Sequence, residues 1–140
     1  MIENFSFKEA TYGIKEIPYD IKEVTFDIIR LCMDVHKQLG HGFVEIVYKD
    51  AIEWELKNKA IVYERAKEFN ILYKKIILPH KFYVDFILFE NIILEVKAAE
   101  DGISNDFAAH VLNYLKASRC KIGLIVNFGR SNLEFRRLIY

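Results

Sequence analysis

Two acids and a lysine interrupt strand-like apolar runs in the middle of the sequence. Asp85 sits inside Tyr83-Val84-Asp85-Phe86-Ile87, and Glu95 ends Ile92-Ile93-Leu94 and is followed by Val96 and Lys97. A carboxylate in an apolar strand is costly to bury unless hydrogen bonds or a cation compensate it. Two at one spot also repel each other, and a divalent cation removes that repulsion. Mg²⁺ takes oxygen ligands, often only one or two carboxylates, and completes its shell with water and substrate phosphate. Lys97 lies two residues beyond Glu95, so strand alternation puts both on one face. There its ammonium can orient an attacking water or stabilise charge on a phosphate, as metal-assisted hydrolysis requires.

The spacing sets a geometric condition. A strict two-residue turn at Glu90-Asn91 would pair Phe86 with Glu95 and send Asp85 to the opposite face. A three-residue loop or a bulge would set Asp85 across from Glu95, and a metal site needs one of these. The plainer alternatives are a strand-end Asp beside an exposed Glu–Lys pair, or a structural salt-bridged cluster.

The elements that must position these residues are read from periodicity. Ile21, Val24, Ile28, Leu31 and Val35 recur at helical spacing between Tyr19 and Leu39, and Gly40-His41-Gly42 ends that helix. A second helix runs from about Phe43 to Lys59. Strands follow in Ile61–Tyr63 and Phe69–Tyr73, which form either two strands or one interrupted strand, then in Phe82–Phe89 and Ile92–Val96. Breaks fall at Lys74-Lys75, Pro79-His80 and Glu90-Asn91. Residues 104–118 return to helical spacing, Ile122–Phe128 reads as a strand buried on both faces, and Leu133–Tyr140 closes the chain as a strand. The order helix, helix, three strands, helix, strand, strand predicts an α/β fold with a mixed central sheet flanked by helices. Residues 1–18 read as an N-terminal arm and 19–140 as a single domain.

At 140 residues, 52% hydrophobic and 29% charged, the chain is that of a folded globular domain. No apolar run is long enough to span a bilayer, and the first residues lack a signal peptide's pattern, so the expectation is a soluble cytoplasmic protein with no membrane partner. Cys32 and Cys120 stand apart from any zinc spacing and read as core thiols. Twenty basic residues balance twenty acidic ones, so bulk charge does not mark a nucleic-acid binder. From Lys116 onward, however, six basic residues face one acid, Glu134.

Gly42-Phe43-Val44-Glu45-Ile46-Val47-Tyr48 matches the motif that names the GxxExxY family, and Val35-His36-Lys37-Gln38-Leu39-Gly40 resembles its lead-in. Asp85, Glu95-Val96-Lys97, Leu112-Asn113-Tyr114-Leu115-Lys116 and Gly123–Gly129 resemble its later blocks, in the same order over roughly residues 21–140. That family is assigned to the PD-(D/E)xK nuclease superfamily. The resemblance implies a restriction-endonuclease-like αβββαβ core, Asp85 and Glu95 as ligands of Mg²⁺ or Mn²⁺, Lys97 as the catalytic lysine, and Glu45 as an additional acid from the preceding helix. Glu45 falls about 20° from both Ile52 and Leu56 on a helical wheel, at the margin of the apolar arc. Its alternative is a helix N-terminal acid favoured by the macrodipole, and Glu55, deeper in the arc, is its rival. His110 stands where the family has Gln, facing the site in related nucleases, and remains a candidate substrate contact. Ala66 replaces another common Gln, and His41 replaces a Pro. Tyr48 and His36 read as satisfied structural residues.

The leading expectation is a metal-dependent nuclease acting on DNA or RNA. The alternative is a non-catalytic nucleic-acid- or protein-binding module that keeps the fold. Tyr12, Tyr19, Phe69 and Tyr73 offer a self-association surface for a homodimer, with core packing as the other reading of the same residues.

Overall fold

The computed structural model describes residues 21–140; the expected arm over 1–18, with Tyr12 and Tyr19, lies outside the described residues. Helix α1 (Ile21–Leu39) and helix α2 (Glu45–Asn58) precede strands β1 (Tyr63–Tyr73), β2 (Ile76–Leu88) and β3 (Ile92–Lys97). Helix α3 (Asn105–Ser118) then leads to β4 (Ile122–Asn127) and β5 (Glu134–Ile139). The five strands form one sheet in chain order. Only β3 and β4 pair in parallel, with α3 as the crossover, and the other neighbours are antiparallel. Ser104 caps α3, its hydroxyl accepting from the Phe107 N–H at 3.0 Å.

The sheet separates two apolar layers. Val24, Ile28, Leu31 and Val35 of α1 and Tyr48, Ile52 and Leu56 of α2 pack on Leu94, Val96, Leu124 and Val126. On the other face, Ala108, Val111 and Leu115 of α3 pack on Ile93 and Ile125. Each such Leu, Ile or Val contributes roughly 1.5–3 kcal/mol when fully buried. Strand β4 is buried along its whole length, as its unbroken apolar run predicts. At Gly123 a Cβ would come within 3.1 Å of Val111, so glycine lets α3 approach the sheet closely.

Several boundaries differ from the sequence expectation. Of the two readings of Ile61–Tyr73, the one-strand reading holds, though the strand starts at Tyr63 and runs on through residues 64–68. Lys74-Lys75 is the expected break, a two-residue turn joining Tyr73 to Ile76. Pro79-His80 does not break β2, which starts at Ile76. The register instead slips between Leu72↔Ile77 and Asn70↔Lys81, leaving Pro79 in a bulge where its missing N–H costs no ladder bond.

Candidate metal centre

The loop between β2 and β3 has three residues, Phe89, Glu90 and Asn91, and the first two take left-handed φ of 52° and 62°. The pairs Leu88↔Ile92, Ile87↔Ile93 and Phe86↔Leu94 follow from it. Continuing that register sets Asp85 across from Glu95, so the geometric condition for a shared site is met. The ladder does not continue in backbone form. The Asp85 N–H donates to Glu95 Oε2 at 2.8 Å, and the Val96 N–H donates to Asp85 Oδ2 at 2.8 Å. Each carboxylate thus replaces a main-chain acceptor where the two strands part.

A kink in β2 aims Asp85 into this gap. Phe82 and Val84 pack in the α3-side core, whereas Phe86 and Leu88 pack in the α1/α2-side core, although all four share one parity along the strand. Facing the kink, between the pairs Arg65↔Phe86 and Lys67↔Val84, Ala66 adopts φ 55°, which costs an L-residue about 1 kcal/mol. On β3, Leu94 and Val96 point to α1 and α2, and Ile93 points to α3. Glu95 and Lys97 therefore share the α3 side, as alternation predicts.

Helix α2 brings a residue that the sequence reading missed. Lys49, one turn beyond Glu45, places its Nζ 2.8 Å from Asp85 Oδ1 and 2.9 Å from Glu45 Oε2, with its side chain 18% exposed. Burial alone would lower the Lys49 pKa, but the bonds to Asp85 and Glu45 outweigh it and leave the ammonium more firmly protonated. Arg65 of β1 anchors this helix, bonding Glu53 at 2.8 Å and Asp50 at 2.9 Å, and the Tyr63 hydroxyl donates to Glu53 at 2.7 Å. Glu45 thus reaches the centre through Lys49. Glu55, the rival acid, lies about 15 Å farther along the helix axis.

Glu95 is 6% exposed. Burial first, and the neighbouring Asp85 charge second, push its carboxyl up to about 8, against the opposing pull of the Asp85 N–H and Lys49. Lys97 does not bond either acid; its Nζ lies 4.4 Å from the centre of the Phe107 ring. Phe107, His110 and Tyr114 form one stripe on α3 at i, i+3 and i+7. Tyr114 was also missed: burial, then the charges of Glu95 and Asp85, raise its hydroxyl pKa. His110 is exposed between the two rings. Tyr48 and His36 are structural, as their surroundings show. The Tyr48 hydroxyl donates to the Gly40 carbonyl at 2.6 Å and accepts from the Phe43 N–H, and its ring stacks on Phe128. His36 Nε2 bonds the Arg130 carbonyl at 2.8 Å. Cys32 and Cys120 are buried, and burial raises the Cys32 thiol to about 12.

Among the described residues, no three His, Cys, Asp or Glu side chains converge into a closed metal cage. The donor set fits an ion that needs only one or two carboxylates and takes water for the rest. Burial first, and the Asp85 charge second, disfavour an ionised Glu95 without a cation beside it, and Asp85 Oδ1 already holds the Lys49 ammonium at 2.8 Å. No described helix is long and apolar enough to cross a membrane.

Residues 22–138 match the family profile of the PD-(D/E)XK nuclease superfamily. The chain also matches the crystal structure of SSO0001, with a TM-score of 0.52 and 17% sequence identity, over 66% of this chain and 48% of that one. It therefore spans about half the length of that structure, and at this identity the likeness shows the fold alone, a restriction-endonuclease-like α/β sheet flanked by helices. No curated protein matches this chain.

Proposed function

The chain belongs to the PD-(D/E)XK nuclease superfamily, and from that premise we propose that it is a Mg²⁺- or Mn²⁺-dependent phosphodiesterase acting on DNA or RNA. The observation that carries this reading is the pair of acids at the parting of β2 and β3, each held by the other strand's amide. Asp85 and Glu95 are the residues that would hold the ion, with Glu45 tuning or completing the set. A bound divalent cation supplies Lewis acidity toward water and phosphate oxygens. The chain's own groups do the remainder. The strand amides fix both carboxylates before substrate arrives, so little reorganisation is left for the reaction. Lys97 shares the face of Glu95 and can swing from the Phe107 ring to orient a water or meet a phosphate oxygen. His110, exposed on the same stripe of α3, is a substrate contact in this reading.

A second reading has one specific observation in its favour: Lys49 already neutralises Asp85 and Glu45. A permanent Lys49 bridge would make the cluster structural, and the chain a nucleic-acid- or protein-binding module that keeps the fold. The deciding experiment incubates the protein with single- and double-stranded DNA and RNA and Mn²⁺ or Mg²⁺, beside Glu95→Ala and Lys97→Ala. Metal-dependent cleavage lost in both variants supports the phosphodiesterase. Absence of cleavage by the folded wild type across all four substrates contradicts it.

A further inference from the structure

A groove of about 930 Å³ opens between α3 and the β1–β2 arm beyond the Asp85 kink. Three rings line it as one stack. Phe69 of β1 lies 5.3 Å from Phe82 of β2, and Phe82 lies 4.7 Å from Tyr114 of α3, with nearly parallel planes. Its acid–base side chains besides Tyr114 are all basic: His80, His110, Lys116 and Arg119, with no Asp or Glu among them. Leu72 and Ile77, 66% and 60% exposed, form an apolar wall. His110 and Tyr114 of this groove share their stripe of α3 with Phe107, whose ring centre lies 4.4 Å from Lys97 Nζ, so the groove runs toward the candidate centre.

The rest of the C-terminal basic cluster is committed elsewhere. Arg130 bonds the carbonyls of Glu100 and Asp101, Arg136 bonds the Ile103 carbonyl, and Arg137 lies over the Phe26 ring. Lys116 and Arg119 instead line the groove.

We propose that this groove binds a short single-stranded segment of nucleic acid, with bases against the half-buried Phe69 and Tyr114 rings at the two ends of the stack, Phe82 being buried between them, and phosphates near Lys116 and Arg119. The proposal rests on the phosphodiesterase reading for its purpose, and on the groove alone for its binding. Aromatic platforms combined with a basic track suit unpaired bases, whose faces are open for stacking, and tolerate many sequences. A duplex keeps its base faces covered and is held chiefly by many cations along its backbone. A chain with equal numbers of acids and bases and four basic groups in one groove suits a few phosphates instead.

The test measures fluorescence anisotropy of a labelled thymidine strand of about 12 nucleotides, and of its duplex with adenosine, in EDTA to prevent cleavage. The proteins are the wild type and Lys116→Glu/Arg119→Glu, whose exposed positions leave folding checkable by thermal melting. The single strand should bind more tightly than the duplex, and the double variant should lose about ten-fold or more of that affinity. Its salt slope should also flatten by about 1.4, because each phosphate contact on a single strand contributes about 0.7. Equal or tighter duplex binding overturns the proposal, as does unchanged single-strand affinity in the folded variant. A variant that shifts oligomeric state in light scattering without changing affinity for the strand also overturns it, and makes the groove an interface between copies. Failure here with intact Mn²⁺-dependent cleavage leaves the phosphodiesterase standing. Strand binding lost in the variant, with no cleavage by the wild type, leaves the groove standing and removes the enzyme.

Discussion

Two polar clusters flank the end of β3, one toward β4 and one toward β2, and they handle polarity in opposite ways. Asn127, fully buried on β4 and paired with Lys97, satisfies itself from its surroundings. Its Oδ1 accepts from the N–H groups of Ala99 and Gly129, and its Nδ2 donates to the Ala99 carbonyl and to Glu134 Oε1. Gly129 is required there, since a Cβ would sit 2.5 Å from the Ala99 backbone. At the parting of β2 and β3, Asp85 and Glu95 also have their hydrogen bonds, but three acids, Glu45 included, share the single ammonium of Lys49. Lys49 answers Asp85 and Glu45, while Glu95 is held far above the usual carboxylate range. A network closed by matched donors and acceptors is architecture. In the proposed reading, an acid pair with one lysine beside it is where a cation would bind.

The largest effect that separates the clusters should come from Asp85→Asn. It keeps the shape and the acceptor for the Val96 N–H but removes the ligand charge, so single-turnover cleavage should fall more than about 1,000-fold, a loss of several kcal/mol in charge stabilisation. Melting should stay within a few degrees of the wild type. Asn127→Ala should do the reverse. It strands buried amides of Ala99 and Gly129, so urea unfolding should show a loss of about 3 kcal/mol, with Mn²⁺ affinity unchanged. A stable Asn127→Ala protein with weakened Mn²⁺ binding would erase the distinction between the two regions.

Lys49→Met should tighten Mn²⁺ binding by about ten-fold, equivalent to about 1.4 kcal/mol, because the ion no longer competes with an ammonium on Asp85 Oδ1. Weaker binding in calorimetry would make Lys49 a permanent part of the cluster. The pH dependence of stability sharpens the comparison without touching cleavage. The Glu95 carboxyl is raised in the folded chain, so the native state holds its proton where the unfolded state has lost it. Its contribution to the stability of the metal-free protein is fully present below the unfolded carboxylate range near 4.5. That contribution is lost as pH rises toward about 8, and levels off above. Melting temperature should follow that decline in EDTA, and Glu95→Gln should flatten it.

Much of this arrangement is legible in the amino-acid order. The apolar periods of α1 and α3, the unbroken run of β4 and the acids set in β2 and β3 mark the layers and the centre, because burial and alternation leave direct traces. The β2–β3 loop length stayed open between two and three residues, and only the left-handed Phe89 and Glu90 decide it. The Pro79 bulge read as a break because turns and bulged strands share the same residue signals at Pro. The kink at Asp85 leaves the apolar pattern at even positions intact while the strand turns over, so periodicity alone does not reveal it. Lys49 had a readable signal in its i, i+4 spacing from Glu45, but its bond to Asp85 depends on the docking of α2. Tyr114 lay within a recognisable block, and its stacking on Phe82 of β2 comes from α3 crossing the sheet.

The most direct measurement is Mn²⁺ binding followed by electron paramagnetic resonance at pH 8, in wild type, Asp85→Asn and Glu95→Gln. One tightly held Mn²⁺ per wild-type chain, lost in both variants while Asn127→Ala retains it, is the expected result. Equal Mn²⁺ binding in all four proteins, or none in the wild type even with single-stranded DNA present, would contradict a cation site at the parting of β2 and β3.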